Sequence, residues 1–222
     1  MTIELFIQAT TKLLMGLILV GLLIFLPAGT FFANGLLLMV ILFFPMFITG
    51  IVMMLKKPGL LERRLNSREK LLKQRTVIKM SGITFVLGFI VAGLTIRFDW
   101  YILPRSVIGV AVVFFLVGYM LYAEVLRENT YLSRTIEIQE NQNVVDTGLY
   151  GIIRHPMYGA TLLLFLSMPL ILGSIYAFLI FLAYPFIIVK RIKSEEEFLE
   201  KELQGYCEYK KKVKYRLIPL IW

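Results

Sequence analysis

The chain has 222 residues, 58% of them hydrophobic and only 18% charged, with a mean hydropathy of +0.76 and a formal net charge of +9. A soluble domain is nearer about half apolar and a quarter charged, so this composition reads as an integral membrane protein. The cations cluster at the ends of apolar segments, where the positive-inside rule accounts for them and nucleic-acid binding is not needed. One cysteine (Cys207) and one histidine (His155) exclude an internal disulfide and a cysteine-built metal site, and argue against a protein-bound zinc or iron.

Six apolar segments are predicted in chain order, at Leu13–Pro27, Gly35–Leu55, Val77–Ile96, Val107–Leu126, Tyr158–Leu172 and Ser174–Val189. Met1–Gln8 lacks the basic stretch of a cleavable signal peptide, and Leu220-Ile221-Trp222 carries no lipidation motif. The 33 residues from Met157 to Val189 are uncharged, too many for one span of about 20, and Pro169 and Gly173 interrupt them. They read as a helical hairpin with both ends on one side of the membrane, each arm short enough that the hairpin need not cross the whole bilayer.

Lys56–Arg75 holds eight Lys and Arg, and Lys190–Arg216 holds nine. The turn between the first two segments holds none, and the one around Asp99 has only Arg97 and Arg105. This predicts that both termini, the Lys56–Arg75 loop and the Arg127–Pro156 connection are cytoplasmic. Thr130–Gln142 alternates in part, suggesting a short extended surface piece. Ser194–Tyr209 reads as an amphipathic interfacial helix with Phe198, Leu199 and Leu203 on one side. The expectation is an all-α integral membrane protein with about five to six transmembrane segments, the last two a hairpin, and a cytoplasmic C-terminal amphipathic helix. It forms a single membrane domain, 1–222, with N-terminal transmembrane helices over 1–127 and a candidate cofactor-binding region over 128–222.

The chemistry-bearing residues gather at the ends of that hairpin. Arg154-His155-Pro156 precedes an apolar helix, with Pro156 suited to its first turn and His155 near its N-cap. Free backbone N–H groups there favour an anionic ligand group, although an Arg-His pair at this place also serves simply to anchor a helix. Arg191 and Glu195 are four apart on one helix face. They form either an ordinary surface salt bridge, worth under about 1 kcal/mol, or a divided site in which Arg191 holds an anion, Glu195 a cation, and Glu196 gives support. Tyr150, Tyr158, Tyr206 and Tyr209 are candidates for pocket walls. Glu124, near the cytoplasmic end of the fourth segment, is either a buried functional acid or a structural partner of Arg127 three residues on.

Taken together, Val144-Val145-Asp146-Thr147-Gly148-Leu149-Tyr150, Arg154-His155-Pro156-Met157-Tyr158 and Arg191-x-x-x-Glu195-Glu196 carry a resemblance, with Gly205-Tyr206-x-x-Tyr209 and Arg216-Leu217-Ile218-Pro219 after them. In this order they resemble the isoprenylcysteine carboxyl methyltransferase family, which is related to membrane phospholipid methyltransferases. The likeness runs from Leu132 onward. It implies S-adenosylmethionine as methyl donor, bound at the cytoplasmic face by Asn143, Val144, Val145, Tyr150, His155, Pro156, Met157, Tyr158 and Glu195. Arg191 matches the position for the substrate carboxylate, so Arg191 and Glu195 are the candidate catalytic residues. The implied substrate is a lipophilic or prenylated acceptor among membrane lipids, with no metal and no nucleic acid. Carboxyl O-methylation leads, N-methylation of an amino phospholipid is the alternative within this class, and a non-catalytic scaffold or transporter is the alternative outside it. The implied membrane is the cell membrane in a prokaryote or the endoplasmic reticulum in a eukaryote.

Overall fold

The computed structural model describes residues 3–66 and 72–222. Arg68 and Lys70 of the basic connection lie outside the described residues. The chain is helical along most of its length: α1 (Ile3–Ala28), α2 (Ala33–Lys56), α3 (Pro58–Leu65), α4 (Leu72–Arg97), α5 (Arg105–Glu128), α6 (Pro156–Ile171), α7 (Ile175–Phe181), α8 (Ala183–Glu202) and α9 (Tyr206–Lys212). Among the described residues, α1, α2, α4, α5 and the α7–α8 pair are long and apolar enough to cross a membrane, and α6 is a shorter apolar helix. The chain is thus a multi-pass membrane protein. Leu14, Met15, Ile18 and Leu22 of α1 are exposed, the state that a lipid-facing helix leaves its apolar side chains in.

Hydropathy located the spans but not the full helices. α1 begins ten residues before Leu13, because Gln8, Thr10, Thr11 and Lys12 lower hydropathy without breaking a helix. Its early Leu5 packs with Met53, Leu60 and Leu61. The basic connection contains a helix of its own, α3, opened by Pro58 in its first turn. Buried Leu60 and Leu61 hold α3 to the bundle, while Lys57, Arg63 and Arg64 donate to the carbonyls of Arg127, Thr130 and Ser133 at and beyond the end of α5.

The core is built where α1, α2, α4, α5, α6 and α7 meet, around Ile24, Leu38, Phe89, Phe115, Leu164, Ile171 and Phe181. The hairpin extends further than its length alone suggested. At its turn, Leu103 N–H donates to the Gly173 carbonyl at 2.9 Å, Thr95 and Ser174 hydroxyls lie 2.7 Å apart, and the Trp100 and Tyr176 rings meet edge to face. At its open end, Met157 packs against Val125 and Leu126. The hairpin therefore runs from the last turn of α5 to the connection that precedes it, matching that membrane-length helix almost end to end.

Two expectations near the surface are corrected. The predicted Ser194–Tyr209 helix is not one element. α8 continues past Val189 to Glu202, since Lys190–Glu202 contains neither Gly nor Pro, and the chain then turns through Gly205 at φ +83° before α9. Thr130–Gln142 forms no strand pairing; it is an irregular strap whose Thr135 and Ile136 are buried.

Candidate active site

The His-Pro segment is fixed by a buried ionic knot. His155 is the N-cap residue of α6 and Pro156 occupies its first turn, as the tripeptide predicted. Arg154 and His155 are each 5% exposed and Glu196 is 2% exposed. Glu196 accepts from Arg154 Nε at 2.7 Å on Oε1 and from Arg216 Nε at 2.8 Å on Oε2, and His155 Nε2 lies 3.2 Å from Oε1. Three partners on one carboxylate satisfy the lone pairs whose burial would otherwise cost several kcal/mol. Arg154 also donates to the carbonyls of Val213 and Lys214, at 2.6 and 2.8 Å. The backbone N–H groups of Arg154 and His155 donate to the carbonyls of Tyr215 and Arg216, both at 2.9 Å. The segment before α6, the polar end of α8 and the segment after α9 are thereby one unit.

Arg191 and Glu195 are joined by a third side chain rather than standing as a simple pair. Arg191 Nε donates to the Tyr158 hydroxyl at 2.8 Å, and that hydroxyl donates to Glu195 Oε2. Arg191 also lies over the Tyr158 ring at 5.9 Å, reaches Gln74 Oε1 at 3.5 Å, and donates to the Arg134 carbonyl at 2.8 Å. Four elements thus converge on one guanidinium: α4, the strap, α6 and α8. Tyr158 and Gln74 were not anticipated as partners of Arg191; their separations of 33 and 117 residues leave no periodic signal to read.

These groups line a cavity of about 500 Å3. Asn143, Val144, Val145, Tyr150, His155, Met157, Tyr158, Arg191 and Glu195 are all on its wall. Pro156 is not; it is buried against a smaller apolar cavity with Leu149, Ile153 and Leu217. Its place in the first turn of α6 sets the backbone rather than the wall. The strap contributes Tyr131, Leu132, Ser133, Arg134, Glu137 and Gln142, none of which was singled out as a site residue from the sequence. Toward the helices the wall is apolar, made by Phe85, Phe165, Tyr184 and Ile188.

The Gly148 turn is held from α5. Both carboxylate oxygens of Glu128 accept from Leu149 N–H, at 3.1 and 3.0 Å. Gly148 has φ +53°, and a Cβ there would sit 1.4 Å from Glu128 Oε1, so only glycine fits. The turn leads into Tyr150, whose carbonyl accepts from Tyr209 at 2.7 Å. On α9, Tyr206 is 4% exposed and its hydroxyl has no hydrogen-bond partner among the described residues. Burial and the nearby Glu196 and Glu195 carboxylates push this phenol well above its usual pKa, so it remains a neutral donor. Glu124, by contrast, pairs with Arg127 at the surface, Nε to Oε2 at 2.8 Å, and takes no part in the cavity.

Three comparisons bear on this arrangement. No curated protein matches the sequence. A solved structure described as the eukaryotic intramembrane Ras methyltransferase ICMT (isoprenylcysteine carboxyl methyltransferase) is similar at a TM-score of 0.48 and 16% identity, covering 85% of this chain and 75% of that one. The phospholipid methyltransferase family model matches residues 104–204, a stretch that includes α5, the strap, the Gly148 turn, the Arg154-His155-Pro156 segment, Arg191 and Glu195. Residues 104–204, the segment that builds most of the cavity, are thus similar to the phospholipid methyltransferase family, in keeping with the resemblance that the motifs carry.

Proposed function

We propose that this membrane protein is a methyltransferase that uses S-adenosylmethionine and acts on a lipophilic acceptor, by carboxyl O-methylation of an isoprenylcysteine-like substrate. The observation that carries the reading is the line Arg191–Tyr158–Glu195 on the wall of a cavity that is polar near the strap and apolar between α4, α6 and α8. One wall offers a cation for a carboxylate, a carboxylate for a cation, and an apolar recess for a hydrocarbon chain.

The residues suit the cofactor. A volume of about 500 Å3 lies within the roughly 300–1,000 Å3 usual for small-molecule sites. Glu195 and Glu137 provide negative charge for a cationic ligand, and the partnerless Tyr206 hydroxyl is a buried donor awaiting an acceptor. S-adenosylmethionine supplies an electrophilic methyl group on a sulfonium when bound.

The chain's own residues then have distinct tasks. Arg191 orients the acceptor carboxylate through its planar fork of N–H groups. That carboxylate is already ionised at neutral pH, so positioning is needed and a strong base is not. Glu195 sets negative charge beside the cationic cofactor. Tyr158 ties Arg191 to Glu195 and so fixes one ligand's position relative to the other's. Phe85, Phe165, Tyr184 and Ile188 keep that part of the cavity dry. Transfer from a sulfonium to a carboxylate annihilates two charges, and exclusion of water favours that step. The basic connections support an orientation with the cavity mouth and both termini on the cytoplasmic side.

N-methylation of an amino lipid is the second reading. It is favoured by the family matched over 104–204 and by Glu137, a carboxylate on the cavity wall. An amine acceptor needs a base to lose its proton and has less use for Arg191. Calorimetric titration with S-adenosylhomocysteine tests the methyltransferase assignment. Saturable binding is expected, and absence of heat at millimolar ligand would leave a scaffold or transporter ahead.

A further inference from the structure

We infer that Arg134 and Glu137 form a zwitterion-binding pair on the strap, taking an ammonium and a neighbouring anionic group of a ligand in the same cavity. The inference rests on the methyltransferase reading of that cavity and deepens it, joining Arg134, which that reading leaves idle, to the Glu137 charge and giving the two one ligand group. Both residues line the cavity.

Glu137 is held by neutral groups. Ser133 Oγ donates to its Oε1 at 2.9 Å and Gln139 Nε2 donates to the same oxygen at 3.1 Å. Its Oε2 has no hydrogen-bond or ionic partner among the described residues. The two donors fix the carboxylate without neutralising it, which leaves its charge for a cation.

Arg134 is the complement. Its backbone carbonyl is engaged by Arg191, whereas its side chain makes no hydrogen bond or ion pair among the described residues. Desolvation on the wall and the neighbouring Arg64 and Arg191 guanidinium groups lower its pKa. A cation gathered with two like charges is relieved by an anion between them. Arg134 and Glu137 are three residues apart in sequence and form no ion pair with each other among the described residues, so the strap brings opposite charges to one cavity wall without pairing them.

An ammonium beside an anionic oxygen occurs in two ligands of this cavity's chemistry: the amino-acid end of S-adenosylmethionine, and the headgroup of an amino phospholipid. Glu137→Gln and Arg134→Gln, in the full-length protein, separate them. If the pair holds the cofactor end, each variant weakens S-adenosylhomocysteine at least tenfold by calorimetry. Binding of 5′-methylthioadenosine, which lacks the amino-acid portion, stays within twofold. If the pair holds the headgroup, S-adenosylhomocysteine is unaffected and glycerophosphoethanolamine loses its ability to compete with the lipid acceptor. Unchanged binding of both ligands, in variants whose thermal unfolding matches the parent, overturns the inference. Failure of the parent protein itself to bind S-adenosylhomocysteine is a different result, and one that removes the underlying methyltransferase reading.

Discussion

Arg191 and Glu195 lie one helical turn apart on α8 but meet through Tyr158, whose hydroxyl accepts from Arg191 Nε at 2.8 Å and donates to Glu195. A surface ion pair of this spacing would be interchangeable and nearly silent on removal. A pair bridged by a half-buried phenol that also stacks under the arginine is neither. The bridge holds the two charges at a fixed offset, which under the proposed function makes them separate ligand-binding groups.

The variants Arg191→Ala and Glu195→Ala should therefore fail differently. Glu195→Ala weakens S-adenosylhomocysteine by about 2–5 kcal/mol, the scale for truncating one side of a buried charge-assisted contact. Arg191→Ala leaves that affinity near the parent value and lowers kcat/KM for a carboxylate acceptor on the order of a hundredfold, about 2.7 kcal/mol. Arg191→Lys recovers part of it, because an ammonium cannot make the bidentate fork. Tyr158→Phe should show both defects in milder form. Equal loss of cofactor affinity in the Arg191 and Glu195 variants would mean that their roles are not separate.

Glu196 carries a structural load instead. Removing it leaves Arg154 and His155 buried beside Arg216 with no carboxylate between them. Glu196→Ala is expected to cost about 3–5 kcal/mol of stability, read as a large fall in the thermal unfolding midpoint in detergent. An unfolding midpoint within a degree of the parent would contradict the knot.

At the Gly148 turn, Gly148→Ala should both destabilise the protein and weaken cofactor binding, since a Cβ collides with the Glu128 carboxylate. Adding Glu128→Ala relieves the collision but not the cost of φ +53°, about 1–2 kcal/mol for a residue with a Cβ. The double variant should then recover only part of the lost stability.

Orientation is testable with thiol reagents. Cys207 is exposed on α9 and should label in sealed cells only after permeabilisation. In a Cys207→Ser background, Asn34→Cys and Tyr101→Cys should label from outside. Labelling of Cys207 in sealed cells would reverse the assignment, and with it the side from which the cofactor arrives.

Much of the fold was legible because lipid exposure imposes length and hydropathy on α1, α2, α4 and α5, and Pro156 marks the start of α6. What was missed lies where those constraints lapse. α3 and the strap are shaped by side chain-to-backbone bonds, such as Arg63 to the Thr130 carbonyl at 2.6 Å and Arg64 to the Ser133 carbonyl at 3.2 Å. A carbonyl acceptor carries no residue identity, so the sequence does not advertise it. At the site, His155, Arg191 and Glu195 stood out as charges beside an apolar run. The Arg154–Glu196–Arg216 knot depends on contacts 42 and 20 residues apart, and only the folded ends of α8 and α6 bring them together.

The reaction itself gives the most direct test. Purified protein is incubated with methyl-labelled S-adenosylmethionine and a farnesylcysteine-type acceptor, and the product is treated with base. The proposed carboxyl methylation makes an ester, so base should release the label as volatile methanol, and Arg191→Ala should abolish most of that release. Label that stays in a base-stable product formed from an amino lipid, with no methanol from the carboxylate acceptor, would contradict carboxyl methylation and place the chemistry on nitrogen.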